Sequence, residues 1–400
     1  MDTPATNNLA VDPFVNKHWL SDNEIQALGV PSLEEEGYRR YHSQQSYGLD
    51  TCYDILRPHT FPTSFLPLSH IEIQSLVTNF SPVYKKFTED SARALVRNST
   101  VLSSLAQRVD EALRGLEGNA AFVKLNTRSP KDVVFDDFDK RHVRKVIQSV
   151  ESDLADVKAE YAEEDGQGEC VPKASATDLV LTAFNRALLR LLKATDGEGA
   201  IALLIRSRRV NEDLVNALNF SKYNSSTNDD MQATSLALRS WSPALHRRTQ
   251  LEFRAFIYQS SFNALTAYDS LTYIPTIARH HVAIPAEIQT FWSNHLREPL
   301  AATHDSYVAD FLWDPPSKVW IIELNRFCTG AGACLFSWGK DQETLMRGPV
   351  QFRYVEKPGD GDELLARFPL VWQNELRCLV EREEGKRGFI ASLKKIVTRH

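Results

Sequence analysis

The chain has 400 residues, of which 42% are hydrophobic and 24% are charged, and its formal net charge is −6. This length and composition predict a globular protein of roughly two to three structural units, and the negative charge argues against direct nucleic-acid binding, which needs a concentrated basic surface. No apolar run approaches the ~20 residues of a membrane helix, the N-terminus lacks a secretory signal, and the five cysteines form no CxxC pair. We therefore expect a reduced, cytoplasmic protein with no membrane segment, no disulfide framework and no zinc site.

The first half of the chain has the patterns of a helix-rich unit. Residues 1–15 are polar and are predicted to be loose, and 163–168 is predicted to be a loop. Two short apolar segments predict buried strands, at 121–125 and 200–205. Helical spacing of apolar residues, with Gly118 ending the first helix and Thr177 or Asp178 capping the last, predicts helices over 82–116, 142–157 and 179–193.

From residue 251 onward the pattern changes from helices to strands. The polar run at 224–232 predicts a flexible insert just before this change. The residues after 350 predict helices again. Alternating and apolar runs predict strands over 252–258, 263–269, 307–313 and 318–324, the last two joined by the turn DPPS. This order predicts an α+β protein with two lobes and a cleft between them.

The hairpin made by the last two strands carries the strongest chemical signal. If its turn contains an even number of residues, Trp313 pairs with Lys318, and Asp310 pairs with Ile321. An odd turn would reverse which face each side chain occupies.

With an even turn, Asp310, Glu323 and Asn325 share one face of the hairpin. Two carboxylates and an amide oxygen form a hard-oxygen site, which suits Mg²⁺ or Mn²⁺ bridging phosphate oxygens better than zinc. The alternative is that Asp310 and Glu323 lie on a solvated face and pair with nearby basic residues.

Two basic residues could contact phosphate groups near this metal site. Lys124 ends a buried strand and can neutralise phosphate oxygens, although a lysine at such a turn is more often a surface residue. Arg254 lies between apolar neighbours on a predicted strand, so it needs either a bound anion or a structural acid partner. No GxxxxGK[ST], GxGxxG or GxSxG motif supports a P-loop, a dinucleotide site or a nucleophile elbow.

Six segments, in this order, resemble the cell division cycle protein 123 family, a branch of the ATP-grasp superfamily. They are FPTSFLPLS (61–69), FVKLNTRSPKD (122–132), LEFRAFI (251–257), YVADFLWDPPSKVWIIELNRF (307–327), LFSW (335–338) and FRYVE (352–356). The resemblance implies an ATP-grasp-like fold, with a nucleotide cleft between two antiparallel sheets.

The resemblance also implies a division of the chain and a set of ligand residues. The expected parts are an N-terminal lobe (16–210), an insert (211–250), a C-terminal ATP-grasp lobe (251–345) and a helical extension (346–400). Residues 205–210 would be the hinge that contacts adenine. The ATP-binding residues would be Lys124, Asn126, Arg206, Ser207, Arg208, Arg209, Val210 and Arg254, and the Mg²⁺ ligands Asp310, Glu323 and Asn325.

The best-known role of the family is assembly of translation initiation factor two through its gamma subunit. By resemblance we expect a monomeric chaperone whose output is binding rather than turnover. One alternative is an ATP-dependent carboxylate–amine ligase, in which Arg254 and Arg326 orient an acyl phosphate and its amine. Another is an interaction module that has lost nucleotide binding.

Four positions depart from the family pattern. Glu323 replaces an aspartate and keeps a carboxylate ligand, while Arg326 replaces a proline. Tyr268 replaces an arginine, and an acid is missing near Gly332. These changes affect the phosphate side of the site more than the nucleotide core.

Overall fold

The computed structural model describes residues 44–81, 87–136, 139–165, 171–223, 234–242, 246–315 and 318–397. Its helices are α1 Leu49–Leu56, α2 His70–Thr78, α3 Glu89–Asn98, α4 Thr100–Arg114, α5 Lys140–Asp165, α6 Ala176–Arg190, α7 Gly197–Arg206, α8 Arg208–Tyr223, α9 Pro275–Arg279, α10 Ala283–His295, α11 Arg297–Ala301, α12 Gln342–Arg347, α13 Gly361–Leu365 and α14 Leu370–Val397. Its strands are β1 Thr63–Pro67, β2 Ala121–Leu125, β3 Lys193–Ala194, β4 Ser235–Ser240, β5 Glu252–Tyr258, β6 Ser261–Ala267, β7 Tyr307–Asp314, β8 Lys318–Arg326 and β9 Gln351–Arg353.

The strands form two sheets. The first sheet has the order β1-β4-β2-β3 and the second β8-β7-β5-β6-β9. Neighbouring strands are antiparallel except for β6 and β9, which are parallel. The predicted α+β class is confirmed, as are the strands near 121–125, 252–258, 307–313 and 318–324.

Each sheet buries one face against helices. On the first sheet, Val123 and Leu236 pack into a core with residues of α2, α3, α4, α7 and α8. On the second sheet, Phe253 and Ala255 pack into a larger core with residues of α5, α6, α10 and α14. Because side chains alternate along a strand, Lys124 and Arg254 lie on the opposite faces from these core residues.

The segment 200–205, predicted to be a buried strand, is part of helix α7. The Asp196 side chain caps this helix by accepting from Gly199 N at 2.7 Å, and Gly197 N donates to Asp110 at 2.6 Å. Gly197 also allows close packing, because a Cβ there would lie 1.9 Å from Ala106 O. A continuous apolar run has no period that separates a buried helix from a buried strand, so the prediction was wrong.

The long helix predicted over 82–116 is two helices within the described part of that range. Ser99 ends α3, and its side chain accepts from Leu102 N at 3.3 Å, which starts α4. Helix α4 ends at Arg114, before Gly118, which lies in a 3₁₀ turn with φ of 67°. Residues 82–86 lie outside the described residues.

Helix α6 begins earlier than its sequence pattern suggested. Ser175 is its N-cap, and the predicted cap Asp178 is the third helical residue, whose carboxylate accepts from Ser175 N at 2.8 Å. This reciprocal pair is a capping box, so the predicted caps Thr177 and Asp178 are wrong by two or three positions.

The segment predicted as an insert, 211–250, supplies part of the first sheet. It begins inside α8, and β4 lies between β1 and β2. Residues 1–15 and 224–232, predicted to be flexible, lie outside the described residues. In the loop predicted at 163–168, residues 163–165 end α5 and the others lie outside the described residues.

Candidate functional site

A cleft of about 630 Å³ lies between the two sheets. This volume falls within the ~300–1,000 Å³ that is typical of small-molecule sites. Basic side chains outnumber acidic ones on its wall, a surplus that suits an anionic ligand. The basic residues are Lys124, Arg128, Lys131, Arg208, Arg209, Arg254 and Arg326, and the acidic ones are Asp132, Glu212, Glu252, Asp269 and Glu323.

The β7–β8 hairpin has a different turn from the predicted one. Asp314 pairs with Lys318, so three residues form the loop and Trp313 lies opposite Val319. The predicted Trp313–Lys318 pair is therefore wrong. An odd loop by itself would place Asp310 and Glu323 on opposite faces.

A β-bulge next to Asp310 reverses the effect of the odd loop. The register shifts there, so that Asp310 lies opposite Glu323 rather than opposite the predicted Ile321, and Ile322 is the extra residue. The loop and the bulge each shift the alternation of side chains between the two faces by one residue, so the two shifts cancel. Asp310 and Glu323 therefore share a face, and Asn325 Nδ2 approaches Asp310 Oδ2 at 3.4 Å on that face.

Arg254 and Asp310 form a two-pronged ion pair. Arg254 Nε and one terminal nitrogen donate to the two oxygens of Asp310, each at 2.7 Å, and its other terminal nitrogen donates to Gly332 O at 2.8 Å. Burial would lower the pKa of Arg254, but the Asp310 carboxylate holds it well above the ordinary value. The structural acid partner considered for Arg254 is thus present, and Asp310 itself is fully buried behind the cleft wall.

Lys124 and Glu323 form a second ion pair, which crosses the cleft. Lys124 Nζ donates to Glu323 Oε2 at 2.5 Å, and the lysine side chain is 5% exposed. Burial lowers the pKa of Lys124, an effect that the negative charge of Glu323 opposes. Burial would raise the pKa of Glu323, but Lys124 and Lys131 outweigh it and keep the pKa well below its ordinary value. Glu323 is therefore ionised at neutral pH.

Three further residues of the cleft escaped the sequence analysis as ligand candidates. Lys131 Nζ lies 3.4 Å from the hydroxyl of Tyr268 and 5.0 Å from the centre of its ring, and the Arg254 guanidinium lies 4.9 Å from the same centre. Burial raises the pKa of Glu252 to about 7, although Lys131 opposes the shift. The signal for Glu252 was its spacing, since residues two apart on a strand share a face and Glu252 precedes Arg254 by two.

The predicted hinge is the junction between helices α7 and α8. Asp132 accepts from Ser207 Oγ at 2.6 Å and from Arg208 N at 2.8 Å, and Ser207 Oγ accepts from Val210 N at 3.1 Å. These bonds cap the first turn of α8. The backbone donors at this junction are thus used inside the protein.

The predicted ligand residues fall into two groups by position. Arg206 is buried and pairs with Asp136 at 2.9 Å. Those on the cleft wall are Lys124, Asn126, Arg208, Arg209, Arg254, Glu323 and Asn325, and those away from it are Arg206, Ser207, Val210 and Asp310.

The residues of the cleft fit a magnesium nucleotide in their chemistry. Within the described ranges, no three His, Cys, Asp or Glu side chains are grouped to hold a metal, so the Asn325 amide is needed as a third oxygen donor. Both predicted carboxylate ligands, Asp310 and Glu323, are bonded to cations, which would have to turn to phosphate oxygens. Asn126 lines the cleft, and its buried Oδ1 has no hydrogen-bond donor among the described groups.

None of the helices in the described part of the chain combines the length and the hydrophobicity that a membrane crossing requires.

Two facing sheets with a charged, ligand-sized cleft between them define an ATP-grasp-like fold. Two structures of Cdc123 from Schizosaccharomyces pombe share it, one of the protein and one of a C-terminally truncated form. The first has a TM-score of 0.51 and 17% identity over 78% of this chain and 97% of that one. The second has a TM-score of 0.53 and 17% identity over 79% and 97%. At this identity the likeness shows the fold.

Sequence comparisons point to the same group of proteins. Residues 188–367 match the D123 family model. A Xenopus laevis translation initiation factor eIF2 assembly protein is 25% identical over 114 residues, which are 28% of this chain and 32% of the relative. Its Xenopus tropicalis counterpart is 26% identical over 103 residues, 26% of this chain and 29% of the relative. The chain thus matches about a third of the length of these relatives. Together the matches show that this chain is similar to proteins of the Cdc123 family.

Proposed function

We propose that the protein binds ATP with Mg²⁺ in the cleft between its two sheets and acts as an assembly chaperone of translation initiation factor eIF2, through the gamma subunit. The names of the Xenopus relatives support the chaperone role. The observation that supports the nucleotide part is that two ion pairs, Lys124–Glu323 and Arg254–Asp310, lie at the wall of the cleft. Each pair combines a cation suited to phosphate with a carboxylate suited to a metal.

The roles follow from charge and position. Lys124, Lys131 and Arg254 would bind the phosphate groups, since cations that are wholly or partly shielded from solvent interact strongly with an anionic ligand. Glu323 and Asn325 would bind Mg²⁺ from the cleft wall, and Asp310 would join them if Arg254 turned toward phosphate. Bound Mg²⁺ would neutralise part of the charge on both the phosphates and the carboxylates.

Calorimetry with ATP, in the presence and absence of Mg²⁺, tests this site. We expect Glu323→Ala to weaken the binding of ATP with Mg²⁺ at least about tenfold, because it removes a metal ligand. Glu212→Ala is the matched control, since this acid also lines the cleft but is half exposed and bonds Arg208. Equal affinities in wild type and Glu323→Ala would contradict the proposed metal site.

The chaperone role needs a separate measurement. The tagged chain, immobilised in the presence of ATP and Mg²⁺, should retain purified eIF2 gamma subunit. It should retain less of the subunit when EDTA removes the Mg²⁺. Failure to retain the gamma subunit at micromolar concentration would contradict the role. Release of ADP that depends on an added amine and carboxylate would instead favour the ligase alternative.

A further inference from the structure

The β-bulge on β8 is held from outside its own sheet. Strand β8 is an edge of the second sheet, so one side of its backbone lacks a neighbouring strand. In a regular strand successive carbonyl groups point to opposite edges. At the bulge the carbonyl groups of Ile321 and Ile322 both accept hydrogen bonds from side chains outside the second sheet.

Two side chains bind these carbonyl groups. Thr60 Oγ1 donates to Ile321 O at 2.6 Å, and the Arg239 terminal nitrogen donates to Ile322 O at 2.5 Å and to Thr60 Oγ1 at 2.9 Å. Arg239 lies on β4 of the first sheet and is 3% exposed. Its guanidinium also lies 5.3 Å from the centre of the Phe61 ring, which stacks on Trp320 of β8.

The bulge decides where the candidate metal ligands point. Ile322 is immediately before Glu323, and the three-residue loop would turn Glu323 and Asn325 to the face opposite Asp310 if the bulge were absent. A buried carbonyl group without a hydrogen-bond donor is costly. Thr60 and Arg239 bind the carbonyl groups of Ile321 and Ile322 in the bulged strand, so they favour the register that contains the bulge.

We propose that Arg239 and Thr60 are positioning residues for the metal site, which fix the β8 bulge and thereby the side on which Glu323 and Asn325 meet Asp310. This inference rests on the proposed function, because it concerns the same Mg²⁺ ligands. Neither Arg239 nor Thr60 lines the cleft, so neither is expected to touch the nucleotide.

Simple electrostatics makes the opposite prediction for Arg239. Its positive charge helps, together with Lys124 and Lys131, to lower the pKa of Glu323, so it also repels a cation placed there. If Arg239 acted only through its charge, Arg239→Met would strengthen metal binding and weaken the binding of metal-free ATP. A positioning role requires the reverse for the metal.

The experiment compares ATP affinity with Mg²⁺ and with EDTA by calorimetry, and takes the ratio as the Mg²⁺ effect. We expect Arg239→Met to reduce this ratio at least about tenfold and Thr60→Val to reduce it about threefold, while Thr60→Ser keeps the hydroxyl and the wild-type ratio. Arg186→Met is the control for loss of an equally buried arginine, since Arg186 pairs with Glu160 and does not line the cleft.

Amide hydrogen exchange in β8 of the protein without nucleotide gives a second readout. The amides of 319–325 should exchange faster in Arg239→Met and Thr60→Val than in the two controls. If Arg239→Met does not fold, the comparison of Thr60→Val with Thr60→Ser still tests the positioning role, because neither substitution changes a charge.

A Mg²⁺ effect that is unchanged or larger in Thr60→Val and Arg239→Met, with β8 exchange at the wild-type rate, would overturn the positioning role and leave the proposed function standing. Wild-type protein that binds no ATP with Mg²⁺ would overturn the proposed function and, with it, the role at a metal site.

Discussion

Asp310 and Glu323 lie directly opposite each other on β7 and β8, yet each carboxylate is bonded to a different cation. Arg254 of the same sheet holds Asp310, and Lys124 of the other sheet holds Glu323. Two like charges on facing positions repel, so these cations are part of what stabilises the arrangement. The Lys124–Glu323 pair also joins the two sheets, so Glu323 is both a proposed Mg²⁺ ligand and a contact between the walls of the cleft.

Removing Lys124 should destabilise the protein without nucleotide. Breaking a fully buried ion pair by deleting one partner costs about 3–5 kcal/mol. Because the Glu323 side chain is 26% exposed, water can replace part of the lost interaction, and we expect about 1–3 kcal/mol for Lys124→Met. Urea denaturation of the folded variants measures this free energy of unfolding.

The double variant Lys124→Met/Glu323→Gln is the control for this prediction. It removes the charges of both partners together, so it should recover much of the stability that Lys124→Met loses. Strictly additive losses in the two single variants and the double variant would mean that the pair contributes no coupling.

Glu252 should make stability depend on pH near neutrality. Its pKa is raised to about 7 in the folded protein by burial, above the ordinary value of 4.5. Between these values the folded state holds a proton that the unfolded state has released, so stability falls as pH rises from about 4.5 to 7. Glu252→Gln removes this loss, and it should be more stable than wild type by about 1–3 kcal/mol at pH 8 and by little at pH 5.

Thermal or urea unfolding at the two pH values checks the prediction. Glu212→Gln serves as the control, because that acid is half exposed. A gain for Glu252→Gln that is equal at pH 5 and pH 8 would assign the effect to packing rather than to the charge.

The sequence was sufficient for the features that depend on local alternation. Strands β5 to β8 of the second sheet were found because apolar residues and turns mark them, whereas β9 lies at 351–353, where helices were predicted. The shared face of Asp310 and Glu323 was predicted correctly. The residue pairs from which that shared face was predicted, Trp313 with Lys318 and Asp310 with Ile321, were wrong. Nothing near Ile322 in the sequence signals a bulge, because the donor that favours it, Arg239, lies some eighty residues earlier on another sheet.

The errors in the first lobe have a different cause. The segment 200–205 is apolar throughout, and its helix is specified by Asp196 and Asp110, which cap its first turn. The role of Lys131 was equally hidden, since its contact with Tyr268 joins residues 137 positions apart. Sequence patterns carry little information on such long-range contacts.

Tyr268 should support nucleotide binding through its ring rather than its hydroxyl. The ring lies about equally far from the Arg254 guanidinium and from Lys131 Nζ, at 4.9 and 5.0 Å. A cation–π contact contributes about 0.5–2 kcal/mol. Tyr268→Leu should therefore weaken the binding of ATP with Mg²⁺ about threefold to tenfold in calorimetry. Tyr268→Phe keeps the ring and should stay within about twofold of wild type; a loss as large as that of Tyr268→Leu would transfer the role to the hydroxyl near Lys131.

Gly197 should tolerate no side chain, because α4 passes too close to the start of α7. A Cβ on Gly197 would lie 1.9 Å from Ala106 O and 2.6 Å from Ala106 C, both backbone atoms that no rotamer change can move. The helices would have to separate, so Gly197→Ala should destabilise the protein by about 3 kcal/mol or more, the upper end for overpacked sites.

Gly385→Ala is the matched control within α14, where an added Cβ meets nothing within 4 Å. Alanine favours a helix over glycine by about 0.5–1 kcal/mol, so this variant should unfold at a slightly higher urea concentration than wild type. If Gly197→Ala unfolded at the wild-type concentration, the close approach of α4 and α7 would not exist in solution.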